Sequence, residues 1–379
     1  MIAKGSSSSL PLSPACLGVF VFALLWIALG TARPGVAKQP ERPGQAPGKA
    51  GPRGATSPAA DLPRALASQD IDGGARLKAV ALAVAGLRVF VALADGRVRG
   101  FMAQRPVFWL SPPRPAKTLD ASADGKSLLV TSAIGHNWVF DLTKPEPALH
   151  RRWERKTGLG QGLTADGGML VRGDVRGQVR GYELAGYKLK WIAKGERVVI
   201  SPDGRWALAL QGQTLSLLEA ANGRSHGSPL AASGPVVAMA VAQAERVAYL
   251  VRGSGGGGGG GGCELRLAGA GALKSPAPSP VPCHPEASLT YSPAGGLLAV
   301  AAGREAQLRD GRTGGLLARH QSEGGLLFAA PLDDSTYVVA GLGQGGRVTW
   351  FRLPRAAPAP PSPRHPSPQS PRPEGPARR

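Results

Sequence analysis

The chain is short of cysteine, of aromatic rings and of acids, and each scarcity removes a class of protein. Three cysteines in 379 residues cannot staple a disulfide scaffold, and Cys16 sits inside a hydrophobic leader. Only Cys263 and Cys283 are left as partners for a bridge, or as two unpaired small apolar residues. No histidines cluster: His136, His150, His226, His284, His320 and His365 are isolated, with no His-Glu-x-x-His, so a zinc centre has no signature. Aromatics make up 5% of the residues and form no ribonucleoprotein-type motif. No finger or basic helix accompanies the excess of 45 basic over 25 acidic side chains, so specific nucleic-acid recognition is not expected. The longest apolar run, residues 17–29, is thirteen residues, short of the ~20 that a membrane-spanning helix needs.

What is abundant is glycine and proline, 54 and 35 residues, which suit many short strands joined by tight turns better than helices. The charge sits unevenly. Residues 33–64 carry six basic and two acidic side chains and residues 352–379 carry six and one, so the two tails supply +9 of the +20. Residues 1–32 read as an export signal: Lys4, the apolar run, then Gly30, Thr31 and Ala32 as a small-residue cleavage site. Cleavage after Ala32 or retention as an uncleaved anchor both place the rest outside the cytoplasm, in a periplasmic or secreted setting. Residues 33–63 form a Pro/Gly-rich basic linker, and residues 354–379 a Pro/Arg-rich tail. Both hold too few large apolar residues to offset ordering entropy and are expected to be disordered.

Between the tails one unit recurs: a strand, a small-residue turn, a second strand, a Gly turn and a third strand. The first turns fall at Gly86, Gly125, Gly167, Gly204, Glu245, Gly295 and Asp334, at intervals of 39, 42, 37, 41, 50 and 39 residues. The long interval holds the eight glycines 255–262 and the Pro-rich stretch 275–285, so an insertion in the fifth unit, about 253–285, accounts for it. Ser-Ala-Asp-Gly-Lys at 122–126, Thr-Ala-Asp-Gly-Gly at 164–168 and Ser-Pro-Asp-Gly-Arg at 201–205 supply the positive φ of a tight hairpin. Ser-Pro-Ala-Gly-Gly at 292–296 is a fourth, weaker copy.

These turns resemble the Ser-Pro-Asp-Gly turn between the inner strands of WD-repeat β-propellers. Val139-Phe140-Asp141-Leu142-Thr143-Lys144 resembles that family's Trp-Asp strand end, and Asp310-Gly311-Arg312-Thr313-Gly314 its Asp-x-x-Thr-Gly continuation. The resemblance covers residues 64–353 and implies an all-β, seven-bladed propeller. The family's Gly-His dipeptide and a literal Trp-Asp are absent, so the hydrogen-bond network of those residues does not carry over. A single segment, Leu184 to Trp191, is similar to the Thr-Gly-x-x-x-x-Trp repeat of quinoprotein propellers. Elementary packing gives the same architecture, because a unit of three or four strands buries both faces only when units stack radially. The seventh unit, Gly325 to Leu353, stops one strand short, and residues 64–71 are placed to supply that strand and close the ring.

No residue pattern spells out catalysis. Gly223-Arg224-Ser225-His226-Gly227 matches the Gly-x-Ser-x-Gly nucleophile elbow, but that chemistry needs a strand-to-helix turn and here Asn222-Gly223 reads as a hairpin. Asp124, Asp166 and Asp203 fill the same hairpin in successive blades and are read as turn formers, far apart around the ring. The expected function is therefore a non-enzymatic, monomeric scaffold that binds a protein or an envelope polymer and needs no metal or cofactor. The turns after second strands would form its face, with His136, Asp174, Arg176, Arg304 and Gln344 displayed there. The basic tails would add a weak contact to an anionic surface. The alternative is a propeller enzyme, a hydrolase, lyase or quinoprotein type, whose site lies in the central channel. Three or more ionisable groups converging in that bore would favour it.

Overall fold

The computed structural model describes residues 63–71, 78–144, 146–154, 160–243, 246–253, 262–269, 278–342 and 346–354. They form 28 strands, with no helix among the described residues. The leader, most of both tails, Glu245, Gln344 and the run 254–261 lie outside them. The strands make seven four-stranded antiparallel sheets, and in six of these four consecutive strands pair in chain order: 79–110, 116–154, 161–194, 197–231, 236–281 and 288–321. First strands of successive blades lie side by side around a closed circle, the seventh against the first. The molecule is a seven-bladed β-propeller.

The seventh blade is a composite. Strands Phe328–Pro331, Thr336–Leu342 and Arg347–Arg352 are completed by Arg64–Asp70 from the other end of the fold. That strand runs antiparallel to the last one, Arg64 opposite Arg352 and Asp70 opposite Arg347, with one bulge between Ala65 and Ala67. The Ser68 and Thr349 hydroxyls meet across the seam at 3.0 Å.

Seven apolar clusters fill the seven gaps between blades, which is why second strands read as unbroken apolar runs. In blade five, Val247, Tyr249 and Val251 face blade four while Ala248 and Leu250 face blade six. The period-two geometry of a strand sends alternate side chains to opposite neighbours, so both sets must be apolar. Two third strands hold a glycine under an aromatic ring of the fourth: Gly100 is paired with Phe108, and Gly181 with Trp191. A Cβ on Gly181 would come within 2.2 Å of the Trp191 indole. Trp191, the end of the quinoprotein-like segment, is a blade-packing residue that also covers Gly223 of the next blade.

The stretch 253–285 is not an insertion alone. It contains the third and fourth strands of blade five, Cys263–Gly269 and Ser279–Val281, whose alternation is hidden by flanking glycine and proline. Cys263 and Cys283 are joined by a disulfide, Cα atoms 4.8 Å apart.

Candidate functional site

Hairpin chemistry accounts for the repeated acids. In blade two, Asp124 Oδ1 accepts from the Ser122 hydroxyl at 2.7 Å and the Lys126 N–H at 3.0 Å, while Ser122 Oγ accepts from Ser127 N–H at 3.0 Å. Thr164, Asp166, Gly168 and Met169 repeat the arrangement in blade three, and Ser201, Asp203, Arg205 and Trp206 in blade four. The Gly168 N–H and Thr164 hydroxyl hold the Asp166 carboxyl below the usual carboxylate range. One expectation changes: these turns are not far apart. Asp124 N–H donates to the Ala165 carbonyl at 3.0 Å, and Asp124 acts electrostatically on Asp166. The third strands of blades two and six end in turns closed by their own aspartates, with Asp141 accepting from Thr143 N–H and hydroxyl and Asp310 accepting from Arg312 and Thr313.

The opposite face is built by the turns between second and third strands together with the links between blades. His136, Asp174, Arg176 and Arg304 all lie at such turns, in blades two, three, three and six. Their environments differ. Arg176 and Arg304 are exposed. His136 is half-buried beside Trp138, its ring Nδ1 enclosed without a hydrogen-bond partner. Asp174 is buried and does not present itself to a partner. Its Oδ1 accepts from Arg176 N–H at 2.8 Å and Gln178 N–H at 3.2 Å, and its Oδ2 pairs with Arg180 at 3.3 Å. A short polar side chain at the head of a tight turn bonds its own backbone, which removes it from the surface chemistry.

Sequence reasoning missed the tips of the same turns. Val175 is 81% exposed and Ile134 58%, on neighbouring blades. Their backbones are fixed: Ser132 Oγ accepts from His136 N–H at 3.0 Å, and Asn137 donates to the Gly135 carbonyl at 2.9 Å. The only signal was an apolar residue set between turn formers, Ile134-Gly135 and Asp174-Val175. Farther round the face, Arg252, Cys283, His284 and Pro285 line an open depression of about 310 Å³.

The innermost strands carry three charged residues among those described: Lys117, Asp120 and Arg197. Lys117 is exposed. Arg197 donates to the carbonyls of Val236 and Val237, both at 2.9 Å, and so links blades four and five. Asp120 Oδ2 accepts the Leu163 N–H at 2.7 Å across the junction of blades two and three. Asp120 as a residue keeps some exposed surface, but its carboxyl lies between inner strands, and burial pushes its pKa up to about 7. Among the described residues no three His, Cys, Asp or Glu side chains are grouped to hold a metal ion. Ser225 lies in the outer strand Ser225–Ala231, opposite Leu218, so the Gly-x-Ser-x-Gly pentapeptide is a hairpin and not an elbow.

The fold thus defines the class of protein, a closed seven-bladed propeller with one face of projecting turns. No family model matches the chain, and no curated protein matches it.

Proposed function

We propose that this ring is an exported, non-enzymatic binding platform of the WD-repeat kind, holding a protein or envelope polymer on the face made by second-to-third-strand turns. The observation that carries the reading is the build of that face. The turns of blades two and three fix their backbones with their own polar groups, and Ile134, Val175, Arg176 and Arg304 are exposed. Rigid apolar tips with basic neighbours bind with little ordering cost. Kinship with WD repeats is supported by the Ser/Thr-x-Asp-Gly bonding of blades two to four and the Asp-x-x-Thr-Gly end at Asp310. Export is supported by the leader at 1–32 and by the Cys263–Cys283 bridge, since such bonds persist in oxidising compartments. The basic tails would hold the ring weakly to anionic lipid or polymer.

A photocrosslinking side chain at position 175 or 304 should give discrete adducts in cells, and one at Asn222, on the other face, none. Equal labelling from both faces, or turnover on a broad hydrolase and dehydrogenase panel, overturns the proposal. One observation favours a channel enzyme as second reading: the Asp120 carboxyl, raised to about 7, is poised for proton transfer. Under that reading a measured turnover would vanish in Asp120→Asn and survive in Val175→Asp.

A further inference from the structure

Large apolar side chains left in water are spread unevenly around the ring. Ten are exposed among the described residues, and eight belong to blades one to three. Five of these lie on outer strands: Val107 and Trp109 in blade one, Leu149 in blade two, Leu189 and Ile192 in blade three. The same three strands carry six Lys or Arg against one acid, Glu154, whereas the outer strands of blades four and five carry no Lys, Arg, Asp or Glu. Exposed apolar surface rimmed by charge marks an interaction site.

Trp109 is the centre of the blade-one flank. The Arg97 and Arg99 guanidiniums lie 4.5 and 4.4 Å from the indole centroid. Arg97 is balanced by Asp95 at 2.5 Å. Arg99 has no acid or carbonyl within hydrogen-bond distance among the described residues, and burial lowers its pKa. Comparable arginines are matched: Arg197 by two carbonyls, Arg309 by Gln307 and the Gly314 carbonyl. A cation held partly out of water without a counter-charge is costly, and an incoming anion relieves that cost. Along the outer strand Arg105–Leu110, Arg105, Pro106, Val107 and Trp109 are exposed, Val107 by 53% and Trp109 by 37%, and a bulge at Val107 separates Arg105 from Trp109.

We infer that the outer flank of blade one docks an acidic, extended segment of a partner protein, a carboxylate meeting Arg99 and an apolar side chain lying on Val107 and Trp109. This surface is separate from the turn face described above. Charge sets the occupant: the unmatched Arg99 calls for a carboxylate, and the exposed Val107 and Trp109 for an apolar side chain. Trp and Arg are the residues that dominate protein interfaces, and the planar guanidinium fork fits a carboxylate. A flat lipid surface is less suited, because the three outer strands turn away from one another around a convex rim.

The test uses the full chain and a fluorescent peptide of alternating glutamate and leucine, read by anisotropy at low salt. Saturable binding is expected, weakened about fivefold or more by Arg99→Gln and by Val107→Asp. Arg224→Gln in blade four removes the same single charge and should leave binding unchanged. Val107 is exposed, so its variant keeps the fold even if Arg99→Gln does not. No peptide binding, or equal effects of Arg99→Gln and Arg224→Gln, as attraction to the basic tails would give, overturns the inference. So does binding to phosphatidylglycerol vesicles that follows these variants while the peptide fails to bind.

Discussion

Ala294 occupies the place that Asp124, Asp166 and Asp203 hold in blades two to four, and the missing carboxylate arrives from the neighbouring blade. Asp334 Oδ1 accepts from the Ser292 hydroxyl at 2.5 Å and the Gly296 N–H at 3.1 Å, so a blade-seven residue completes the blade-six turn. Asp334→Ala should therefore cost about 1 kcal/mol, or roughly 2–4 °C in melting temperature for a domain this large. Adding Ala294→Asp should restore most of it, and a double variant no more stable than the single one would refute the substitution in trans. Sequence alone read Asp334 as a turn residue, because a carboxylate acting across 42 positions leaves no local pattern. Two partly buried residues give the stability a pH dependence of opposite signs. Asp120 is raised from 3.8 to about 7 by burial, so folding favours its protonated form and its contribution falls as pH rises from about 4 to about 7. His320, whose ring nitrogen lies 2.8 Å from the Tyr337 hydroxyl, is lowered from 6.5 by burial. Its folded form stays neutral, so its contribution is full above pH 6.5 and is lost as pH falls below that value. Chemical denaturation across this range should show Asp120→Asn gaining on the parent toward neutral pH, and His320→Gln losing less than the parent toward pH 5.

Outer strands are the exposed edges of every blade, and each composition suggests how pairing with other chains is resisted. Pro106, Pro229 and Pro280 break the donor rows of blades one, four and five, and lysines 188, 190 and 194 crowd blade three. These residues look like loop composition in a linear reading, which is why the outer half of blade five was hidden within 253–285. Its outer two strands, Cys263–Gly269 and Ser279–Val281, pair over three residues only. The disulfide closes a separation of 20 residues around them. Constraint of the unfolded chain by a loop of that size stabilises by about 3 kcal/mol. Replacing both Cys263 and Cys283 by Ser should lower the melting temperature by several degrees and abolish its sensitivity to reductant. A melting temperature that ignores reductant in the parent would show that the bridge contributes nothing to stability.

The blade count was legible because six of the seven turn positions used to index the repeats lie between first and second strands, and the strands either side of Glu245 bracket the remaining one. Spacing reports architecture here since every blade must cover its neighbours with the same alternation. The surface was less legible, because exposure of Ile134, Val175 and Trp109 depends on which turn or edge projects, and three-dimensional placement is not periodic. Ring closure lies between these cases: the last unit lacked a strand, and Arg64–Asp70 fills the gap. That strand places Leu66 and Ala67 against the cluster of Ile71, Phe101 and Trp350, where Phe101 meets Trp350 edge-on at 5.4 Å. Its removal would uncover this cluster and leave the strand Arg347–Arg352 with a bare edge. A deletion of residues 33–60 touches no part of the seam and should leave melting unchanged. Extending the deletion through Gln69 removes six of the seven strand residues, and several lost kcal/mol translate to a fall of roughly 10 °C or more, or to aggregation. Calorimetry on the two truncations decides the matter, since equal midpoints would mean that the ring holds its shape without the N-terminal strand.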